Sequence, residues 1–171
     1  MDYKSLIREI QDFPKPGILF YDITTLLKDT TGFRQIIQDL TDHYRNERIS
    51  KVVGIESRGF ILGGPLAYTL NAGFVPVRKP GKLPSDVFEV KYNLEYGANS
   101  LAIHRDAIEM GERVLVVDDL LATGGTAAAT VHLLSQLGAE IVGCAFLLEL
   151  LALGGREKLE GCSIHSLLSY P

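Results

Sequence analysis

The segment Val114-Leu-Val-Val-Asp118-Asp119-Leu-Leu-Ala122-Thr123-Gly124-Gly125-Thr126 sets two adjacent carboxylates between an apolar run and a small-residue loop. An unbroken β-branched run of this kind reads as a strand buried on both faces, as in a parallel sheet. Acids at its carboxyl end fall where open α/β sheets place their ligands. In the loop, Ala122 to Thr126 let the backbone approach an anion closely, and a helix beginning there aims free N–H groups at it. The segment reads as a grip for a phosphorylated sugar, with the acids on hydroxyls or a metal. A Walker-type phosphate loop needs a Lys after its second Gly, and Thr126 follows Gly125, which argues against a nucleotide triphosphatase. Piece by piece, Gly124-Gly125 could merely turn the chain and the acids merely cap a strand. The ordered string carries the anion reading.

Two further segments have the residue types for anions. Gly54-Ile-Glu56-Ser57-Arg58-Gly59 again has the pattern of a strand-to-helix turn, where backbone N–H groups and Arg58 can hold a charge. The alternative is an ordinary connection with an exposed Arg. Arg78, Lys79 and Lys82 stand beside Pro80, Gly81 and Pro84, which suits a diphosphate or a solvated basic turn.

The elements that must position these residues follow from periodicity. Residues 3–11 are expected to form a short amphipathic helix with Leu6, Ile7 and Ile10 inward, and 12–22 to be irregular because of Pro14, Pro16 and Gly17. A longer helix carries Phe33, Ile36, Ile37, Leu40 and Tyr44 at helical spacing. Strand 52–55, a helix from about 59 to 70 and strand 74–77 come next. Val87, Glu89 and Lys91 alternate with Phe88, Val90 and Tyr92, the pattern of a β-ribbon. Strand 114–117, helix 125–137 and strand 140–148 complete the reading. Strands alternating with helices imply one three-layer α/β domain over 1–171, with a mainly parallel sheet and helices on both faces.

Composition bounds the class. The chain has 171 residues, 46% of them hydrophobic and 22% charged, which is ordinary for a globular protein and long enough to bury a core. A net charge of −4 argues against nucleic acid as the main partner. Cys144 and Cys162 lack zinc-ligand spacing and read as reduced structural residues. The start carries no signal-peptide core and no apolar run approaches ~18 residues, so a cytoplasmic protein without a membrane span is expected.

The opening string resembles the phosphoribosyl pyrophosphate (PRPP) signature of the type I phosphoribosyltransferases. Residues 54–65, 78–84, Leu94-Glu95-Tyr96-Gly97 and 113–130 together resemble the adenine-using branch of that family. The resemblance covers most of the chain, including Pro16-Gly-Ile-Leu19-Phe20. It implies a small N-terminal hood over 1–27 and a mobile β-ribbon lid over 82–97. It also implies a Mg²⁺-dependent enzyme of purine salvage that makes AMP and pyrophosphate from adenine and PRPP. PRPP has a phosphate at one end and a diphosphate at the other, so its binder needs two anion sites, and this chain offers two.

Roles carried over from the resemblance fall on matching positions. Ala122, Thr123, Gly124, Gly125 and Thr126 are expected to hold the 5′-phosphate, and Asp118 and Asp119 the ribose 2′- and 3′-hydroxyls. Glu56, Ser57 and Arg58 form the pyrophosphate turn, often through a non-proline cis peptide, and Arg78, Lys79 and Lys82 extend it. Arg78 is expected to reach the neighbouring subunit's site, which implies a homodimer. Leu19 and Phe20 match the hood over the purine, where many relatives have a basic residue at the place of Tyr21. Glu95 falls where a lid carboxylate is proposed as general acid–base, with a surface Glu as the alternative, and Arg58 assists the departing pyrophosphate. His104 reads as a partner-facing or solvated side chain rather than a catalyst. No carboxylate cage for a metal is evident, so Mg²⁺ is expected to be held by substrate oxygens and water.

Rivals share parts of this pattern. Transferases for hypoxanthine, guanine, xanthine or orotate have the same PRPP string, and the turns at Glu56–Arg58 and Arg78–Pro84 favour adenine over them. A PRPP-sensing regulator that binds DNA would need an added basic module, for which the chain has neither length nor charge.

Overall fold

The computed structural model describes residues 1–94 and 97–171, with side chains outside 93–98. Contacts divide the chain into two compact units, Met1–Asp39 and Leu40–Pro171.

The first unit departs from the sequence expectation. A short 3-10 turn at Lys4–Leu6 is followed by strand β1 (Arg8–Gln11), which pairs antiparallel with β2 (Leu19–Asp22). The expected helix over 3–11 and the expected irregular stretch to residue 22 are thus partly a hairpin. A helix under about 12 residues is marginal without strong tertiary burial. Pairing with β2 gives the same residues backbone partners, and the register sets Arg8 opposite Asp22. There Arg8 Nε donates to Asp22 Oδ2 at 3.1 Å, while the Thr24 N–H donates to Oδ1 at 2.9 Å. The Arg8 guanidinium holds the Asp22 carboxyl down to about 2. The hairpin loop contains the cis peptide Phe13–Pro14, and the Gly17 N–H donates to Asp12 Oδ1 at 2.7 Å. Helix α1 (Thr24–Leu27) follows, and α2 (Thr30–Tyr44) begins in this unit.

The second unit is built on a five-stranded sheet whose ladders are all parallel. In chain order it contains β3 (Lys51–Ile55), α3 (Gly59–Thr69), β4 (Gly73–Val77), β5 (Val87–Leu94), β6 (Gly97–His104), β7 (Arg113–Leu121), α4 (Gly125–Gln136), β8 (Glu140–Leu150) and β9 (Ile164–Tyr170). Strands β5 and β6 form the expected antiparallel ribbon. Arg78 and Ala102 exchange backbone hydrogen bonds of 3.0 and 2.7 Å, which ties that ribbon to the segment leaving β4. The sheet order is β4-β3-β7-β8-β9. Buried Val53, Ile55, Val114, Val116, Leu133, Leu134 and Phe146 share one core cluster, as the unbroken apolar strands require.

Topology then fixes where a ligand belongs. The chain leaves β3 through α3 toward β4 on one side, and leaves β7 through α4 toward β8 on the other. β3 and β7 are direct neighbours, with Gly54 opposite Val117. Their carboxyl ends bound the point where the winding direction switches, which is where open α/β sheets open a crevice.

In this unit too, strand assignments differ from the sequence reading. β7 continues through Asp118 and Asp119 to Leu121, because pairing of Asp118 with Phe146 and Leu120 with Leu148 extends the ladder. β9 had no place in the sequence reading, since its half-buried edge position gives Ile164–Tyr170 a weak pattern. Cys144 lies buried on β8 as a free thiol, which burial pushes up to about 12. Among the described residues, no helix is long and apolar enough to cross a membrane.

Candidate active site

A cavity of about 600 Å³ opens at the switch point, lined by Glu56, Ser57, Arg58, Lys79 and the stretch from Asp118 to Ala127. The structure therefore brings together residues as much as 71 positions apart in sequence.

The turn after β3 supplies one wall. The Glu56–Ser57 peptide is cis, and α3 begins two residues later at Gly59. A Cβ at Gly59 would stand 2.8 Å from the Val117 carbonyl oxygen and 3.0 Å from Asp118 Oδ1. Glycine lets the start of α3 close against the end of β7.

Asp118 and Asp119 form the floor. The Asp119 N–H donates to Asp118 Oδ1 at 2.9 Å. Asp119 is buried, and its Oδ2 lies 2.8 Å from Arg58 Nε. Burial, reinforced by the neighbouring charge of Asp119, raises the Asp118 carboxyl well above the usual carboxylate range, and Arg58 opposes the shift. Asp119 is raised as well, by burial, again against the pull of Arg58. Two ionised carboxylates here need a cation or donors from a ligand beside them.

The loop after β7 supplies the opposite wall. Gly124 caps α4 with φ of 77°, and the Ala128 N–H donates to its carbonyl at 2.9 Å. The N–H groups of the first turn of α4 have no partner within the helix and make up its anion-favouring dipole end. Thr126 Oγ1 stands 3.2 Å from the Tyr92 hydroxyl, so β5 reaches this loop. A second cavity of about 370 Å³ shares Glu56, Lys79 and Thr126 and extends along Pro80, Tyr92 and residues 99–101.

The Glu56 carboxylate is engaged by the basic turn. It accepts from the Lys79 N–H at 2.9 Å and from Arg78 Nε and Nη2 at 3.3 and 3.2 Å. The Lys79 N–H, with Arg78 beside it, holds this carboxyl below its ordinary range. Arg78 Nη1 also donates to the Lys82 carbonyl at 3.2 Å. In this chain Arg78 is thus engaged with Glu56 and Lys82. Lys79 lines both cavities, while exposed Lys82 lines neither.

Leu19 and Phe20 lie half-buried on β2 of the first unit, with Phe20 edge-on to Phe13 at 5.0 Å between ring centres. Glu95 lies outside the described residues. His104 is half-buried at the end of β6, and its Nε2 has no hydrogen-bond partner among the described residues. Tyr92 was not singled out by its sequence. The alternation of β5 held the signal: Phe88, Val90 and Tyr92 share the inward face, and an inward Tyr needs a partner for its hydroxyl.

Among the described residues, no group of three or more His, Cys, Asp or Glu is placed to hold a metal ion. The carboxylate oxygens at the floor are hard donors that fit Mg²⁺ where a ligand completes the set.

Comparison with known proteins agrees with this geometry. Residues 23–160 match the model of the phosphoribosyl transferase domain. Adenine phosphoribosyltransferase from Acaryochloris marina is 62% identical over 170 residues, covering 99% of this chain and 100% of the relative. The crystal structure of adenine phosphoribosyltransferase from Thermoanaerobacter pseudethanolicus superposes with a TM-score of 0.95 at 50% identity, covering 99% and 98% of the two chains. The Saccharomyces cerevisiae enzyme, solved with an imino-altritol bisphosphate and adenine, gives 0.92 at 40% identity over 98% and 97%. A five-stranded parallel sheet, two turns lining one cavity at its switch point and full-length identity of this order have one consistent reading: the chain belongs to the phosphoribosyl transferase domain family, in its adenine phosphoribosyltransferase branch.

Proposed function

We propose that the protein transfers the 5-phosphoribosyl group of PRPP to adenine, giving AMP and pyrophosphate, as a cytoplasmic enzyme of purine salvage. The observation that carries this reading is the pairing of Arg58 with Asp119, which joins the two anion turns across one cavity.

Residues 122–126 and the start of α4 hold the 5′-phosphate through backbone N–H groups and the Thr123 and Thr126 hydroxyls. Asp118 and Asp119 accept from the ribose 2′- and 3′-hydroxyls. That contact answers their burial and favours positive charge developing on the sugar ring. Ser57, Arg58 and Lys79 receive the pyrophosphate, and Glu56 holds the 78–79 turn in place for it. Arg78 and Lys82 add positive charge, and Arg78 serves the adjoining site of a homodimer. Leu19 and Phe20 cover the adenine ring. Glu95, on the lid over 82–97, exchanges the proton of the attacking ring nitrogen, and the closed lid excludes water from PRPP. Mg²⁺ would be held through PRPP oxygens and water, with Asp118 and Asp119 nearby, and would supply neutralising charge for the leaving pyrophosphate.

The test is incubation of the purified protein with PRPP, Mg²⁺ and one base at a time. AMP and pyrophosphate form from adenine, with little product from hypoxanthine or guanine. Equal turnover of those bases, or none of adenine, overturns the reading.

A further inference from the structure

Glu149 is a buried charge that the reaction above does not use. It is 3% exposed near the carboxyl end of β8 and pairs in register with Leu121, the last residue of β7. Its carboxylate accepts from Arg156 Nε at 2.6 Å and Nη2 at 2.7 Å, and from the Ser166 hydroxyl on β9 at 2.8 Å. A two-point guanidinium clasp of this kind fixes direction as well as distance. Arg156 and Ser166 hold the carboxyl below its ordinary range, so it stays ionised at neutral pH.

The consequence lies one residue back. Arg156 follows Gly155 in a short 3-10 turn at Gly155–Leu159. Gly155 packs backbone to backbone on the loop that leaves β7. A Cβ at Gly155 would run into the Ala122 carbonyl oxygen and stand 3.1 Å from the Gly124 nitrogen. A Cβ at Gly124 would run into the Gly155 carbonyl oxygen. No side chain separates the two backbones, so a shift of the 154–156 segment moves the loop directly.

We propose that Glu149, Arg156 and Ser166 are positioning residues for the 5′-phosphate. Their cluster clamps Gly155 against the back of residues 122–124 and so sets the direction in which the loop's N–H groups point. The inference rests on the assignment of residues 122–126 to that phosphate.

Calorimetric titration with ribose 5-phosphate and, separately, with pyrophosphate tests it on Glu149→Gln and on the milder Arg156→Lys, with Thr126→Val as the loop control. Either positioning variant that folds weakens ribose 5-phosphate about tenfold, since small displacements of a positioned group carry costs of this order or more. Pyrophosphate affinity holds, because its turn stands on β3. Unchanged ribose 5-phosphate affinity, or parallel loss of both ligands with falling thermal stability, overturns the inference. If Thr126→Val weakens ribose 5-phosphate and both positioning variants leave it intact, the inference alone fails. If Thr126→Val has no effect, the loop assignment fails and the inference with it.

Discussion

Arg58 Nε lies 2.8 Å from Asp119 Oδ2, joining the turn after β3 to the end of β7. Asp119 is buried while Arg58 is partly open to solvent, so the pair ties a half-exposed cation to a buried acid at the cavity floor. Removing the charge frees the cation and, on the proposed assignment, weakens an acceptor for a ribose hydroxyl. Asp119→Asn should lower turnover by about a hundredfold or more. Its melting midpoint should hold or rise, because burial already disfavours the ionised carboxyl. Steady-state kinetics and a melting curve on one preparation check both; near-native turnover would sink the ribose assignment.

Asp118 carries the clearer pH signature. Its folded-state carboxyl is raised by burial and by Asp119, so the folded protein holds this proton more tightly than the unfolded chain does. The penalty for ionising it is absent below the unfolded value of about 4 and grows as pH rises through the folded value. Asp118→Asn should therefore stabilise the protein at pH 8 and make little difference near pH 4. Denaturant midpoints at the two pH values decide it, and equal gains at both would contradict the proposed origin.

Glu56 has the opposite sign. The Lys79 N–H and Arg78 hold its carboxyl low, so its contribution is present above the unfolded value of about 4 and fades as pH falls through the folded one. Glu56→Gln should loosen the 78–79 turn and weaken pyrophosphate severalfold, leaving ribose 5-phosphate nearly unaffected. Paired titrations with the two ligands give the answer, and a loss confined to ribose 5-phosphate would count against it.

Tyr92→Phe removes one hydroxyl at 3.2 Å from Thr126 while keeping the ring on the core side. One neutral hydrogen bond is worth about 1 kcal/mol, so the KM for PRPP should rise about fivefold with kcat little changed. Backbone amides of β5 and β6 should exchange faster in the variant, which hydrogen-exchange mass spectrometry reads directly. Unaltered exchange would show that the ribbon does not lean on this contact.

What the residues revealed and what they hid follows from the range of the forces involved. Apolar runs at 52–55, 114–117 and 140–148 announced buried strands, and the small-residue turns beside them marked the segments that line the cavity, because both signals are local. The first hairpin did not announce itself. Leu6, Ile7 and Ile10 fit a helical stripe, and only the partner strand at Leu19–Asp22 decides otherwise. β9 was hidden for the same reason, since its pairing with β8 supplies what its own pattern lacks. At the site, the acids, the turn and the loop were legible one by one. The clasp of Glu56 on Arg78 and the pairing of Arg58 with Asp119 were not, because each spans a distance in sequence that only the folded sheet brings together.

The adjacency of β3 and β7 has a metric consequence. The two turns spring from hydrogen-bonded neighbours, whose separation is fixed near ~4.8 Å by backbone pairing and is indifferent to side-chain identity. The interval between the roots of the two turns is therefore gauged by peptide geometry, which substitutions at the surface cannot stretch. On the proposed assignment, the spacing of a ligand's two charged ends is matched by the backbone before any side chain is involved.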